Sequence, residues 1–270
     1  MHVYVINLAR SRDRRAYITA ELQRAGVDFE FIPAVDGRTL DLSDSTLIDP
    51  SMTVFSGCNF PGTNGCALSH FHTYQKILED RRDEALVLED DVILPADLKD
   101  LADEIAGHLT GAEVALLNYS SYGSDPLKLS PEGSVDLSSS RLLALPIDVS
   151  QLANAGAYVI TRQACALMVE HLLPIRTTAD DWRSFYDQGL LDRVRCVLPQ
   201  PVPKNPNFES TIGLYSLGYG LKARLLGPFV RHKIPVLHQA IRYRRRRIAR
   251  RLDRAEIVNL PFIEKPSRLG

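Results

Sequence analysis

The sequence predicts an α/β fold, an open and mostly parallel sheet flanked by helices with a basic helical C-terminal tail. Three observations lead there. The short runs "VYVIN" at 3–7, "ALVL" at 85–88 and "EVALLNY" at 113–119 are largely apolar without alternation, as strands covered on both faces are. Segments with helical periodicity separate them. The first 35 residues read strand, helix, strand, a βαβ unit in which parallel pairing is expected. A chain of 270 residues, 45% hydrophobic and 24% charged, can bury the core of one large α/β domain or two small ones.

After the strand 3–7, Ser11 is a good N-cap for a helix that buries Ile18, Leu22 and Ala25, and Gly26 is its stop signal. "FEFIPAV" at 29–35 returns as a strand and ends in the turn signal Asp36-Gly37. Residues 41–64, rich in Ser, Thr, Pro, Gly and Asn, read as a long loop, and 65–80 as a helix with Leu68, Phe71 and Leu78 on one face. The strand 85–88 runs into Glu89, Asp90 and Asp91. Beyond the strand 113–119, residues 120–140 read as a mobile loop. "GAYVITRQACALMVEHLL" at 156–173 is a strand followed by a helix capped by Thr161, and 194–203 is a last strand running into prolines. The predicted division is one domain over 1–225 and a basic segment over 226–270.

The four cysteines, Cys58, Cys66, Cys165 and Cys196, form no C-x-x-C pair. Cys58 and Cys66 are close in sequence, but no second pair completes a zinc site, so reduced thiols are expected. The N-terminal stretch lacks the basic and long apolar regions of a secretory signal, and no uncharged run is long enough to span a bilayer. A cytoplasmic location is expected. The net charge of −1 hides an asymmetry, because residues 239–254 carry eight arginines against Asp253, leaving about −8 elsewhere. With Ile241, Ile248 and Leu252 on one side, this segment reads as a basic amphipathic helix for an anionic membrane surface, at the inner face of the membrane. No nucleic-acid motif or aromatic platform accompanies it, so nucleic acid is not an expected partner.

In open α/β sheets ligands bind at the carboxyl ends of the strands. Two such ends carry charge here. Asn7 is followed by Arg10, Arg12, Arg14 and Arg15 at the start of a helix, where phosphate oxygens are favoured. Glu89-Asp90-Asp91 offers an acid-x-acid pair able to hold a hard divalent cation through oxygens. Together they suit a nucleoside-diphosphate donor with Mn²⁺ or Mg²⁺. For a general base, Asp180 and Asp181 stand beside Trp182, an aromatic face suited to a sugar, although either acid could simply cap a helix starting there.

Five stretches in order, "VYVINLARSRDRR", "FIPAVDG", "GTNGCALSHFHTYQKIL", "ALVLEDDVIL" and "NAGAYVITRQACALMV", resemble glycosyltransferase family 25, the lipopolysaccharide and lipooligosaccharide glycosyltransferases. The resemblance covers most of residues 3–173. It implies a GT-A-like domain that uses Mn²⁺ or Mg²⁺ and a UDP-sugar donor, most often UDP-galactose. The sugar would pass with inversion, as a β-linkage, to a lipooligosaccharide or related lipid-linked glycan. Glu89 and Asp91 then fall on the metal motif. Asn7 and Arg14 fall on the nucleotide side, and Asp36 and Gly37 near the uridine; Arg12, Arg15 and Asp90 are further nucleotide-binding candidates from their position at the same strand ends. His70, Asn154, Trp182, Glu209 and Ser210 are the candidates for the donor-sugar or acceptor side. Two other readings compete: a non-catalytic relative that binds nucleotide or sugar, and a receiver-like signalling module. A receiver places its acid pair after the first strand, where this chain has arginines.

Overall fold

The computed structural model describes residues 1–50, 61–121 and 127–208, and a strand at 255–257. One sheet of nine strands runs through these residues in the order β2-β1-β3-β7-β4-β8-β6-β5-β9. The strands are β1 (His2–Asn7), β2 (Phe29–Pro33), β3 (Glu84–Glu89), β4 (Glu113–Ser121), β5 (Leu127–Leu137), β6 (Arg141–Pro146), β7 (Leu152–Thr161), β8 (Arg193–Leu198) and β9 (Ala255–Ile257). Among the helices are α1 (Arg12–Ala25), α2 (Pro61–Glu79), α3 (Leu98–Ala106), α4 (Arg162–His171) and α5 (Trp182–Asp187).

Alternation along each strand splits the core into two layers. Tyr4, Ile6, Val87, Tyr158 and Ile160 face one way, onto Tyr74 and Ile77 of α2, Met168 of α4 and Trp182 and Phe185 of α5. Val3, Val5, Leu86, Leu88, Ala157 and Val159 face the other way, onto Ile18 and Leu22 of α1 and Leu98, Leu101 and Ile105 of α3. The open α/β sheet with helices on both faces is the architecture expected. Its pairing is mixed rather than mostly parallel, because β7 enters between β3 and β4 and runs antiparallel to both. A strand buried on both faces is uniformly apolar in either direction, so its sequence does not reveal its polarity.

Local differences from the expected elements have local causes. α2 starts at Pro61, four residues into the expected loop, since proline fits the first turn of a helix. Most of the expected loop at 120–140 is strand, with β5 pairing antiparallel to β6. Pro131 and Gly133 fall within the register shift between Ser130 and Val135, where no ladder bond is required of them. α1 ends as expected, with Gly26 left-handed at φ 65°, although Ser11 makes no side-chain capping bond. The 225/226 boundary and the basic segment 239–254 lie outside the described residues. No helix of the described residues is long and apolar enough to cross a membrane.

At the start of β4, the end of the strands opposite the one discussed below, the wholly buried Glu113 bridges two guanidinium groups. Its Oε1 lies 3.0 Å from Arg193 Nη1 and its Oε2 2.7 Å from Arg195 Nε. Glu113→Gln keeps the shape and removes the charge on which both bonds depend. It is expected to cost about 1.5–3 kcal/mol, measured by urea unfolding.

Candidate active site

The parallel register of β1 and β3 sets Ile6 opposite Glu89, so Asn7 and Asp90 leave the sheet side by side. β2 is parallel to β1 on the other side, and its extension carries Ala34 to Gly37 to the same end. A cavity of about 350 Å³ opens there, at the carboxyl ends of three adjacent parallel strands. Its charged lining comprises Arg10, Arg14, Asp36, Arg38, Glu89, Asp90, Asp91 and Lys204.

The acids are held in different ways. Asp90 accepts from Asn7 Nδ2 at 2.7 Å and from Arg14 Nη1 at 2.9 Å. Arg14 Nη1 also reaches Asp91 Oδ2 at 3.1 Å, and Lys204 Nζ reaches the same oxygen at 3.0 Å. Glu89 Oε1 lies 3.8 Å from His70 Nε2 and 3.9 Å from Cys66 Sγ. Burial raises the Asp90 carboxyl above its usual range despite Arg14 and Asn7. Burial and the neighbouring Glu89 charge do the same to Asp91. Burial also pushes on Glu89, but His70, Lys204 and Arg14 outweigh it and hold that group low. Burial pulls the Lys204 ammonium down, and Glu89 and Asp91 more than restore it. Arg14 and Lys204 thus touch Asp90 and Asp91, and Glu89 adds a third carboxylate within their Coulombic reach, which leaves an excess of negative charge at the strand end.

The helix phase of α1 sorts its arginines. Arg14 is buried among the acids, and Arg10, just before the helix, pairs with Asp36 on the cavity wall. Arg12 and Arg15 are exposed and do not line the cavity, and Arg15 lies over the Phe31 ring at 3.6 Å. Asp36 caps the turn 37–39 and is gripped by Arg38 and Arg10, which hold its carboxyl far below its ordinary range. Gly37 is required by a close approach, because a Cβ there would stand 1.6 Å from the Pro61 carbonyl oxygen. Gly65 of α2 closes the same contact, its missing Cβ falling 2.8 Å from Gly37 N. Gly37→Ala must therefore push the turn 37–39 and α2 apart. A loss of about 1–3 kcal/mol is expected, read as a fall in Tm.

The remaining candidates are placed as follows. His70 is buried, with Nδ1 2.7 Å from Tyr158 Oη. Asn154 has a positive φ of 84°, a conformation that asparagine adopts more readily than most residues other than glycine. Its Nδ2 donates to Asn118 Oδ1 at 2.6 Å, and its backbone N–H to Asp180 Oδ2 at 3.0 Å. Asp181 caps α5. Its Oδ1 accepts from Ser184 N at 3.1 Å and its Oδ2 from the Thr177 hydroxyl. Trp182 is 0% exposed, packed edge-on to Tyr158 and Phe185, with Nε1 donating to the Asn154 carbonyl at 3.0 Å. The expected sugar-stacking face is thus a core residue, and the expectation is corrected: the ring is large and apolar, and the sheet covers it. Glu209 and Ser210 lie outside the described residues.

Lys204 is a site residue that the sequence did not single out, and Cys66 is one that it set aside as a reduced thiol. Lys204 arrives because 203–205 runs back along the acids, with Ile93 N bonded to Pro203 O at 2.9 Å and Asn205 N to Asp91 O at 2.7 Å. A lone lysine between prolines just after β8 was the available signal. Cys66 stands four residues before His70, one helical turn away on the same face of α2.

A hard divalent cation fits part of this arrangement. Glu89 and Asp91 both line the cavity, and Asp91 Oδ1 is buried with no hydrogen-bond partner among the described residues. An unmet carboxylate oxygen beside excess negative charge is what a cation would satisfy.

The sequence profile described as glycosyltransferase family 25 (LPS biosynthesis protein) matches residues 1–182. A glycosyltransferase 25 family member from Aedes aegypti is 39% identical over 99 residues, 34% of this chain and 16% of that protein. One from Anopheles gambiae is 35% identical over 99 residues, again 34% and 16%. Procollagen galactosyltransferase 2 from Homo sapiens is 30% identical over 98 residues, 33% of this chain and 15% of that protein. The matched region spans about a sixth of the length of each of these relatives.

Proposed function

Since the chain belongs to glycosyltransferase family 25, we propose that it transfers a sugar, galactose from UDP-galactose, with inversion and with the help of Mn²⁺ or Mg²⁺, to a glycan acceptor of the lipooligosaccharide kind. The observation that carries this reading is the cavity itself, where Arg10 and Arg14 meet Glu89 and Asp91 at the ends of three parallel strands. A diphosphate needs cationic partners, and a cation bridging it to the protein needs carboxylate oxygens.

Glu89 and Asp91 would hold the cation, which when bound supplies Lewis-acid stabilisation of the departing UDP. Arg14 orients Asp90 and Asp91 and contributes positive charge next to the diphosphate. Asp36, fixed by Arg10 and Arg38, and Gly37 shape the wall on the nucleoside side. Asn7 fixes Asp90. For the general base, Asp180 is favoured over Asp181, because both oxygens of Asp181 are already committed within its own helix cap. Asp180 is held by Asn154 N–H and is close enough to add to the rise in the Cys66 thiol pKa that burial and Glu89 produce. It would take the proton of the acceptor hydroxyl as that oxygen attacks the anomeric carbon. The basic segment 239–254 would hold the enzyme against an anionic membrane surface where a lipid-linked acceptor lies.

The test is UDP release from a panel of UDP-sugars with lipooligosaccharide acceptors. Turnover restricted to UDP-galactose and dependent on acceptor supports the proposal. UDP binding without release from any donor would favour the non-catalytic relative, and lack of UDP binding would remove the nucleotide site.

A further inference from the structure

We propose that Cys66, His70 and Glu89 form a site for a thiophilic divalent transition-metal ion of the zinc class. Cys66 and His70 are one turn apart on α2, and Glu89 ends β3 against that face. One ligand atom from each lies within 4.8 Å of the other two. The Glu89 Oε1 distances are 3.8 Å to His70 Nε2 and 3.9 Å to Cys66 Sγ. Zinc bond lengths of about 2.0–2.3 Å place tetrahedral ligands roughly 3.3–3.5 Å apart, so the two distances to Glu89 need to close by only a few tenths of an ångström and the Cys66–His70 pair, within 4.8 Å, by about 1.3 Å at most.

The His70 side chain is 2% exposed, and its Nε2 has no hydrogen-bond partner among the described residues. Tyr158 Oη donates to Tyr74 Oη at 3.2 Å, so in the Nδ1–H tautomer its oxygen can accept from His70 Nδ1, 2.7 Å away. With the proton on Nδ1, the tautomer that coordination at Nε2 requires, Nε2 turns a lone pair toward the Glu89 carboxylate, which His70 helps to hold low when its proton is on Nε2 instead. Two acceptors then face each other in a buried place, which is unfavourable unless a cation lies between them. An imidazole whose outer N–H is tied to a second partner is also the arrangement that metal-ligating histidines adopt.

Thiolate and imidazole donors select zinc over magnesium or manganese, and three protein ligands leave a fourth position for water or a ligand oxygen. Coordination would release the Cys66 thiol proton to solvent. The site shares Glu89 with the cation proposed above but does not rest on that reading, because Asp91 takes no part.

Cobalt(II) alone, added to the reduced, metal-stripped full chain, tests it. A thiolate-to-cobalt charge-transfer band is expected, displaced by Zn²⁺, absent in Cys66→Ser and retained in Asp91→Asn. Zn²⁺ affinity should fall by more than about a hundredfold in Cys66→Ser and in His70→Gln, since even outer partners of metal ligands are worth about 10–100-fold. Cys66→Ser changes one atom at a half-buried position, so it decides the matter if His70→Gln fails to fold. Absence of the band, or an equal band in Cys66→Ser, overturns the inference. Loss of Mn²⁺-dependent UDP binding in Asp91→Asn is read separately and bears only on the proposed transferase site.

Discussion

Asp91→Asn is expected to lower kcat for sugar transfer by about 10³-fold without lowering the Tm of the metal-free protein. The two signs differ for a physical reason. Asp91 is one of three carboxylates served by Arg14 and Lys204, and burial together with Glu89 already disfavours its charged form. An amide relieves that repulsion and leaves Glu89 and Asp90 balanced by the same two cations. The backbone bond from Asn205 N to Asp91 O, at 2.7 Å, survives the change and keeps 203–205 in place. What is lost is a ligand oxygen for the proposed cation. Lewis-acid stabilisation of several kcal/mol corresponds to about three decades in rate. Steady-state kinetics beside thermal unfolding in chelator would show the split. A fall in both would mean that Asp91 is structural.

Arg14→Met should be damaging in both respects. Arg14 is buried, and one nitrogen bridges Asp90 and Asp91. Removing it leaves two buried carboxylates with one fewer counter-charge, a class of change that costs about 3–5 kcal/mol. UDP affinity should fall as well, since the same guanidinium lines the cavity. Asp90→Asn added to Arg14→Met should recover part of the stability, because it removes the charge left without its partner, and it should not recover UDP affinity. A double-mutant cycle in urea measures that coupling. Wild-type stability in Arg14→Met would contradict the arrangement described.

The features legible in the sequence are those set by local chemistry. The βαβ start, the glycine that ends α1, the Asp36-Gly37 turn and the acids at the end of β3 all depend on residue type and short spacing. Their convergence at one strand end then follows from the parallel pairing of β1, β2 and β3. Properties that arise from tertiary contacts were not legible. The antiparallel entry of β7 leaves no mark in an apolar strand. Trp182 beside two aspartates reads as a sugar platform until the sheet is seen to bury it. Arg12 and Arg15 differ from Arg14 only by helix phase, which small errors in placing a helix start obscure. Lys204 reaches the acids only because the chain doubles back along residues 91–93.

The most direct measurement is calorimetric titration of UDP into the full chain, in Mn²⁺ and in chelator, for the wild type and Asp91→Asn. Binding at least about tenfold tighter in Mn²⁺, with that gain absent in Asp91→Asn, is the expected result. Equal binding in chelator would transfer the counter-charge role to Arg14 and Lys204 and remove the metal from the proposal. No binding under either condition would contradict the nucleotide site at the end of β1 and β3.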